Sequence, residues 1–148
     1  MDMQTTTTST ADLAHTWAAV ADVTSWPRWT TSMTAVTRLD DGPLKVGSRA
    51  RVKQPGMPAL VWEVDKLREG EEFTWVASTP GVRTTGVHRL ATNPDGTTQI
   101  TLEVQHRGPL AGVLGALTGR RTRRYMALEA AGLKAASEAG ESADAGGA

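Results

Sequence analysis

The sequence predicts an α+β fold: a curved antiparallel sheet of about seven strands wrapped around a long C-terminal helix, with one or two short helices after the first strand. Three observations carry this. A Trp26-Pro27-Arg28-Trp29 turn closes a short amphipathic segment near the N-terminus. Six short alternating segments separated by tight turns follow it, and sequential strands of that kind pair as antiparallel neighbours. From Leu110 the period changes from that of a strand to that of a helix. One face of such a sheet is apolar and has to be covered, and the only element long enough to cover it is the last helix.

Gln4 to Thr8 is polar and rich in β-branched Thr, which favours an extended, edge-like first strand. Ser9 or Thr10 can cap the helix that follows, and Asp12 suits its positive end. Leu13, Trp17, Val20 and Ala21 recur at helical spacing. Asp22 to Ser25 is turn-forming, Pro27 prevents the helix continuing unchanged, and Arg28 to Ser32 has room for one further helical turn.

Met33 to Leu39 reads as a strand ended by Asp40-Asp41-Gly42-Pro43. Val46 to Gln54 is the next, with Arg49, Arg51 and Lys53 on a solvated face, and Pro55-Gly56-Met57-Pro58 is a loop. Leu60, Trp62 and Val64 alternate with Val61, Glu63 and Asp65, the pattern of a half-buried strand. Phe73, Trp75 and Ala77 share a face of the next strand, which Pro80-Gly81 ends. Val82 to Leu90 follows, then the hairpin turn Asn93-Pro94-Asp95-Gly96. Ile100, Leu102 and Val104 form the inward set of the last strand.

Gly108-Pro109 stops the sheet. Leu110, Val113, Leu114, Leu117, Arg121, Tyr125, Leu128 and Leu133 trace a helical stripe taken as inward. Gly112, Gly115, Gly119 and Gly132 interrupt it, each at a cost of roughly 0.5–1 kcal/mol against Ala. They read either as a gate or as sites of close packing on the sheet. Residues 1–138 form one domain, and 139–148, small, polar and Gly-rich, are expected to be a disordered tail.

Composition narrows the function. In 148 residues, 39% hydrophobic and 22% charged, 16 basic side chains balance 16 acidic ones, so a general nucleic-acid footprint is not expected. The absence of cysteine removes disulfides, thiolate nucleophiles and Cys-ligated metals. No apolar run reaches membrane-spanning length and no apolar signal core precedes the first strand, so a cytoplasmic location is the default. Neither the spacing of His15 nor that of His106 suggests a metal site, and neither a metal nor a cofactor is expected.

Five Trp stand against one Phe and one Tyr. Trp17, Trp29, Trp62 and Trp75 fall on faces taken as inward, where indoles wall a pocket or simply fill a core. Trp26 reads as structural. Met57, beside Gln54 at the expected pocket mouth, suits variable guests, and Leu117 and Arg121 join the wall from the helix. His88 shares strand parity with Gly86 and Leu90. There its imidazole is either a general acid/base, with an unperturbed pKa of about 6.5, or a bonded core histidine. The Tyr125 hydroxyl either meets a ligand carbonyl or anchors the helix. Arg120-Arg121-Thr122-Arg123-Arg124 is a solvated helical segment, with Glu129 in register to pair with Arg124 or the neighbours of Tyr125, or a contact for an acidic partner, an anionic membrane or an acyl carrier protein.

In order and spacing, several of these pieces resemble the START-like (SRPBCC) superfamily with its helix-grip fold, in particular the polyketide cyclase/dehydrase branch. They are the helix from Ala11 into Asp22, Trp26-Pro27-Arg28-Trp29, Gly47, Trp62-Glu63-Val64, Phe73-Thr74-Trp75, Pro80-Gly81, His88, Gly96-Thr97-Thr98 and Gly108. They span Thr5 to Ser137. The resemblance implies a deep apolar pocket between sheet and long helix and a hydrophobic small-molecule ligand that is polyketide-, lipid- or terpenoid-like. It admits three functions: a cyclase or dehydratase, a non-catalytic carrier, and a co-chaperone-like interaction module; for the first, the reading of the residues, not the resemblance, offers His88 and Tyr125 as catalytic groups. An acyl carrier protein or a second copy of the chain are the partners it allows.

Overall fold

The computed structural model describes residues 2–146. Its elements are β1 (Asp2–Ser9), α1 (Leu13–Ala21), a 3-10 helix (Val23–Arg28), β2 (Ala35–Arg38), β3 (Arg49–Lys53), β4 (Leu60–Arg68), β5 (Glu72–Thr79), β6 (Val82–Thr92), β7 (Thr98–Arg107) and α2 (Ala111–Gly146). The strands form one antiparallel sheet in the order β1-β7-β6-β5-β4-β3-β2. β1 and β2 are therefore opposite edges. α1 and the 3-10 helix carry the chain from one edge to the other, while α2 packs along β1, β7 and α1. This is the helix-grip arrangement.

Local chemistry explains most boundaries. Asp12 is the N-cap of α1, its carboxylate accepting from the His15 backbone N–H. Pro27 sits inside a 3-10 turn that starts at Val23, so the extra turn precedes Trp29 instead of following Arg28. β4 carries a bulge between Val64 and Lys66. Before it Leu60, Trp62 and Val64 face inward; after it Leu67 does, opposite Phe73. One extra residue thus bends the strand and strengthens the curl that the cavity needs.

The core sits under the second half of α2. Trp26, 2% exposed, lies at its centre. It stacks on Phe73 at 6.1 Å, meets Trp75 edge-on at 5.4 Å, and donates its indole N–H to the Ala19 carbonyl. Met126, Ala130 and Leu133 close on this cluster from the helix. Trp17 joins from α1, edge to face with Phe73 at 6.5 Å.

Polar ties fix the same half of α2 to the β1–α1 connection. Ser9 and Ser137 hydroxyls meet at 2.6 Å in the interior, Lys134 donates to the Thr8 carbonyl, and Glu138 and Glu141 accept from the backbone N–H groups of Thr10 and Asp12. These contacts run into the segment expected to be a disordered tail. α2 remains helical to Gly146 because its acidic side chains have partners on α1; residues 147 and 148 lie outside the described residues.

Gly132 allows the closest approach. A Cβ there would lie 2.6 Å from the Trp29 carbonyl oxygen, so this glycine serves close packing. Gly132→Ala, which in an open helix would gain up to about 1 kcal/mol, is expected to destabilise by about 1–3 kcal/mol through the backbone clash; chemical denaturation of the variant against wild type checks it.

His15 forms a second tie. Its Nδ1 lies 2.7 Å from Asp12 Oδ1 and its Nε2 2.5 Å from Asp144 Oδ2, with Glu141 3.7 Å from Nδ1. Ligand-type atoms of Asp12, His15 and Glu141 fall within 4.8 Å of one another, but with both ring nitrogens directed at carboxylates the cluster is a proton-bridged clamp. The hydrogen bond to Asp12, then that to Asp144, raises the imidazole above its ordinary value. A raised native value gives stability that is full below the unfolded value of about 6.5 and is lost as pH climbs through the native one. The Tm difference between wild type and His15→Gln is therefore expected to be larger at pH 6 than at pH 9 in parallel thermal melts.

Candidate functional site

The first half of α2 does not reach the sheet floor. It roofs a cavity of about 270 Å3. Inward residues of β4 to β7 form the floor, among them Trp62, Trp75, Ala77, Gly86, Leu102 and Val104, and the wall is mostly apolar. Trp62 and Trp75 lie 5.5 Å apart at 34°. Gly86 makes the Trp75 orientation possible, because a Cβ there would stand 3.0 Å from the indole. Leu114, Thr118, Arg121, Thr122, Tyr125 and Met126 supply the roof.

Two histidines stand among the polar residues of the lining. The first is His88, 4% exposed. Its ring stacks on Phe73 at 4.2 Å and 15°, Nδ1 is 3.3 Å from the Phe73 carbonyl, and Nε2 is 3.1 Å from Oε1 of Glu129 on α2. A carbonyl only accepts, so Nδ1 carries a proton and donates it. One proton then lies between Nε2 and Oε1, giving imidazolium with carboxylate or imidazole with carboxylic acid. Both Glu129 and His88 line the cavity. The second is His106, whose Nδ1 lies 3.0 Å from the Thr84 hydroxyl and whose imidazole burial pushes below its ordinary value.

The mouth lies between α2 and the loop joining β3 to β4. Side chains hold four successive loop carbonyls: Lys53 donates to Gln54 and Met57, Tyr125 to Pro55 at 2.6 Å, and Arg121 to Gly56 at 3.3 Å. Gly56 takes φ +75°, which a side chain would strain.

Six expected site residues line the cavity: Met57, Trp62, Trp75, His88, Arg121 and Tyr125. The Tyr125 hydroxyl donates to the Pro55 carbonyl of the loop, which places it at the mouth. Three expectations are corrected. Trp17 belongs to the packed cluster beside Phe73, away from the cavity. Trp29 is 42% exposed, because the 3-10 turn ends at Arg28 and rotates the indole outward, leaving its backbone against Gly132. Leu117 is 80% exposed, as are Leu110 and Val113 to about half. Of the expected stripe Leu114, Arg121 and Tyr125 do face the cavity, joined there by Thr118, Thr122, Met126 and Glu129.

Glu129 is the cavity residue that sequence reasoning misplaced. It does not pair with Arg124; it turns inward to His88. A signal for it exists. It is the only carboxylate between Glu103 and Glu138, and it lies four residues after Tyr125 on the cavity-facing side.

The family described as "Polyketide cyclase / dehydrase and lipid transport" matches residues 1–138. No curated protein matches the sequence. Solved structures share the fold at low identity. The Zhui aromatase/cyclase from Streptomyces sp. R1128 is 18% identical, with TM-score 0.74 over 93% of each chain. A hypothetical protein from Helicobacter pylori is 14% identical, with TM-score 0.76 over 92% of this chain and 86% of that one. A START superfamily protein from Mycobacterium smegmatis is 13% identical, with TM-score 0.68 over 88% and 94%. With nearly its whole length matched and its cavity enclosed between curved sheet and terminal helix, the chain belongs to the polyketide cyclase / dehydrase and lipid transport family.

Proposed function

We propose that this protein binds a compact hydrophobic ketone in its cavity and catalyses proton transfer on it, as a cyclase or dehydratase of polyketide-like substrates. The observation that carries the reading is the largely buried His88–Glu129 pair set in a mostly apolar wall. A cavity of about 270 Å3 stands near the lower end of small-molecule pockets, which favours a guest of few rings.

Among the described residues Glu129 hydrogen-bonds only His88, through Oε1. Its second oxygen is left for the guest. As carboxylate it removes the proton from the carbon beside a ketone, giving an enolate. As carboxylic acid it returns that proton to a β-hydroxyl, the C–O bond breaks, and an enone and water are formed. Alternatively, the enolate carbon closes a ring on a second carbonyl and the proton goes to the new alkoxide. His88 is a positioning residue: Phe73 holds its ring by stacking and by its carbonyl, and Nε2 shares the proton with Glu129 in either state. Confinement by Trp62 and Trp75 supplies orientation.

Glu129→Gln keeps shape and removes the exchangeable proton. With an aryl β-hydroxyketone as probe, enone formation is expected to fall about 10²-fold or more while quenching of tryptophan emission still saturates at similar concentration. Unchanged turnover in the variant would overturn the role of Glu129. A wild-type protein that binds such ketones without converting them is a carrier, the reading that the tied-down mouth loop favours.

The loop ties make a kinetic prediction. Tyr125→Phe removes the hydrogen bond to Pro55, a net loss of about 1 kcal/mol at most for an exposed contact. Ligand release is expected to accelerate severalfold in stopped-flow fluorescence with little change in Tm. An unaltered release rate would place the exit elsewhere.

A further inference from the structure

The outer side of the helix that roofs the cavity presents an arrangement the reading above does not use. Leu110, Val113 and Leu117 are 50%, 58% and 80% exposed. Spaced by three and four residues, they lie along one side of the helix. Arg120 and Arg124 continue that side over the next turn, and Arg123 flanks it. No acidic residue occurs from Gly108 to Leu128, whereas Glu138, Glu141 and Asp144 crowd the far end of the helix. Among the described residues Arg120, Arg123 and Arg124 make neither an ion pair nor a side-chain hydrogen bond, and Arg121 is tied only to the Gly56 carbonyl. The stripe adjoins the mouth: Leu114, Thr118 and Arg121, which line the cavity, are its immediate helical neighbours.

We propose that this face docks on an anionic lipid bilayer, with the leucines and valine entering the headgroup boundary and the arginines meeting lipid phosphates. The proposal goes beyond the reading of Glu129 and stands whether or not chemistry occurs there. Apolar side chains beside a basic, acid-free turn are the composition of an interfacial helix, whose binding adds buried apolar area to attraction for anionic lipid. Each arginine near such a surface strengthens binding roughly five-fold. A second copy of the chain fits less well, because two such faces brought together would set arginine against arginine. With the mouth turned to the bilayer, a hydrophobic guest passes between lipid and cavity without crossing water.

The test is flotation of the full chain with vesicles of phosphatidylcholine alone and of phosphatidylcholine containing a quarter phosphatidylglycerol. Wild type is expected to float with the anionic vesicles only, and to lose binding as salt shortens the screening length below about 10 Å. Leu117→Glu, at a site exposed enough to leave the fold intact, is expected to abolish flotation. Arg120→Gln with Arg124→Gln is expected to weaken it roughly 25-fold. Failure to float with anionic vesicles overturns the proposal and leaves the face to an acidic protein. Flotation undiminished by Leu117→Glu overturns it too. So does a concentration-dependent dimer, seen by sedimentation, that Leu117→Glu dissolves. Tryptophan quenching by the ketone probe, measured on the same variants, keeps this outcome separate from ligand binding in the cavity.

Discussion

The structure depends on α2 being clamped along only half of its length. From Met126 onward the helix is pinned by the aromatic cluster, by the Ser9–Ser137 contact and by acidic side chains on the β1–α1 connection. The half before Met126 has no matching layer beneath it. The sheet continues under it, curled by the Asp65 bulge, and the gap between the two becomes the cavity. Native interiors are packed like crystals, so a void of this size is maintained only by rigid surroundings. Here those are the indoles of Trp62 and Trp75, held against Gly86 and the buried Trp26.

The His88–Glu129 pair sits at the border between the two halves. It ties the helix to β6 where the packed half gives way to the cavity. Burying such a pair carries a desolvation cost that its attraction offsets only with good geometry and further hydrogen bonds. His88 has the Phe73 carbonyl and a ring stacked at 4.2 Å, but among the described residues Glu129 has only His88. An apolar pair of the same shape would serve packing at least as well. A carboxylate with one partner among the described residues, facing a mostly apolar cavity, is the feature on which the proposed chemistry rests.

Most of the sheet was legible in the sequence. Alternation on β4, β5 and β7 placed Trp62, Trp75 and Leu102 inward, and strand parity placed His88 with Gly86, because a period of two leaves no ambiguity. The helix was less legible. A stripe drawn through its largest side chains put Leu114, Arg121 and Tyr125 inside correctly but Leu117 too, and it missed Thr118, Thr122 and Glu129 on the cavity side. The physical reason is that a roof over a void need not be apolar, so hydrophobicity no longer marks the inward face. Trp29 failed for another reason. Its direction depends on where a 3-10 turn stops, and a shift of one residue there rotates a side chain by about 120°. Glu129 was visible as a lone carboxylate among neutral and basic residues, but its partner is 41 positions away on another element, and single-sequence patterns do not carry that distance.

The same division of α2 explains why its charges are so unevenly placed. Its far half needs carboxylates, since they accept the backbone N–H groups of Thr10 and Asp12 and surround His15. Its near half has no such donors beneath it, and its basic side chains serve the mouth instead, Arg121 reaching Gly56 while Tyr125 holds Pro55. Acidic residues in that turn would compete for Arg121 and for Lys53, the cations that hold the loop carbonyls. An acid-free stretch is therefore what a latched mouth requires from the inside, and it leaves a positive, partly apolar ridge on the outside. Closure of the cavity and the character of the surface around it follow from one constraint on the same helix.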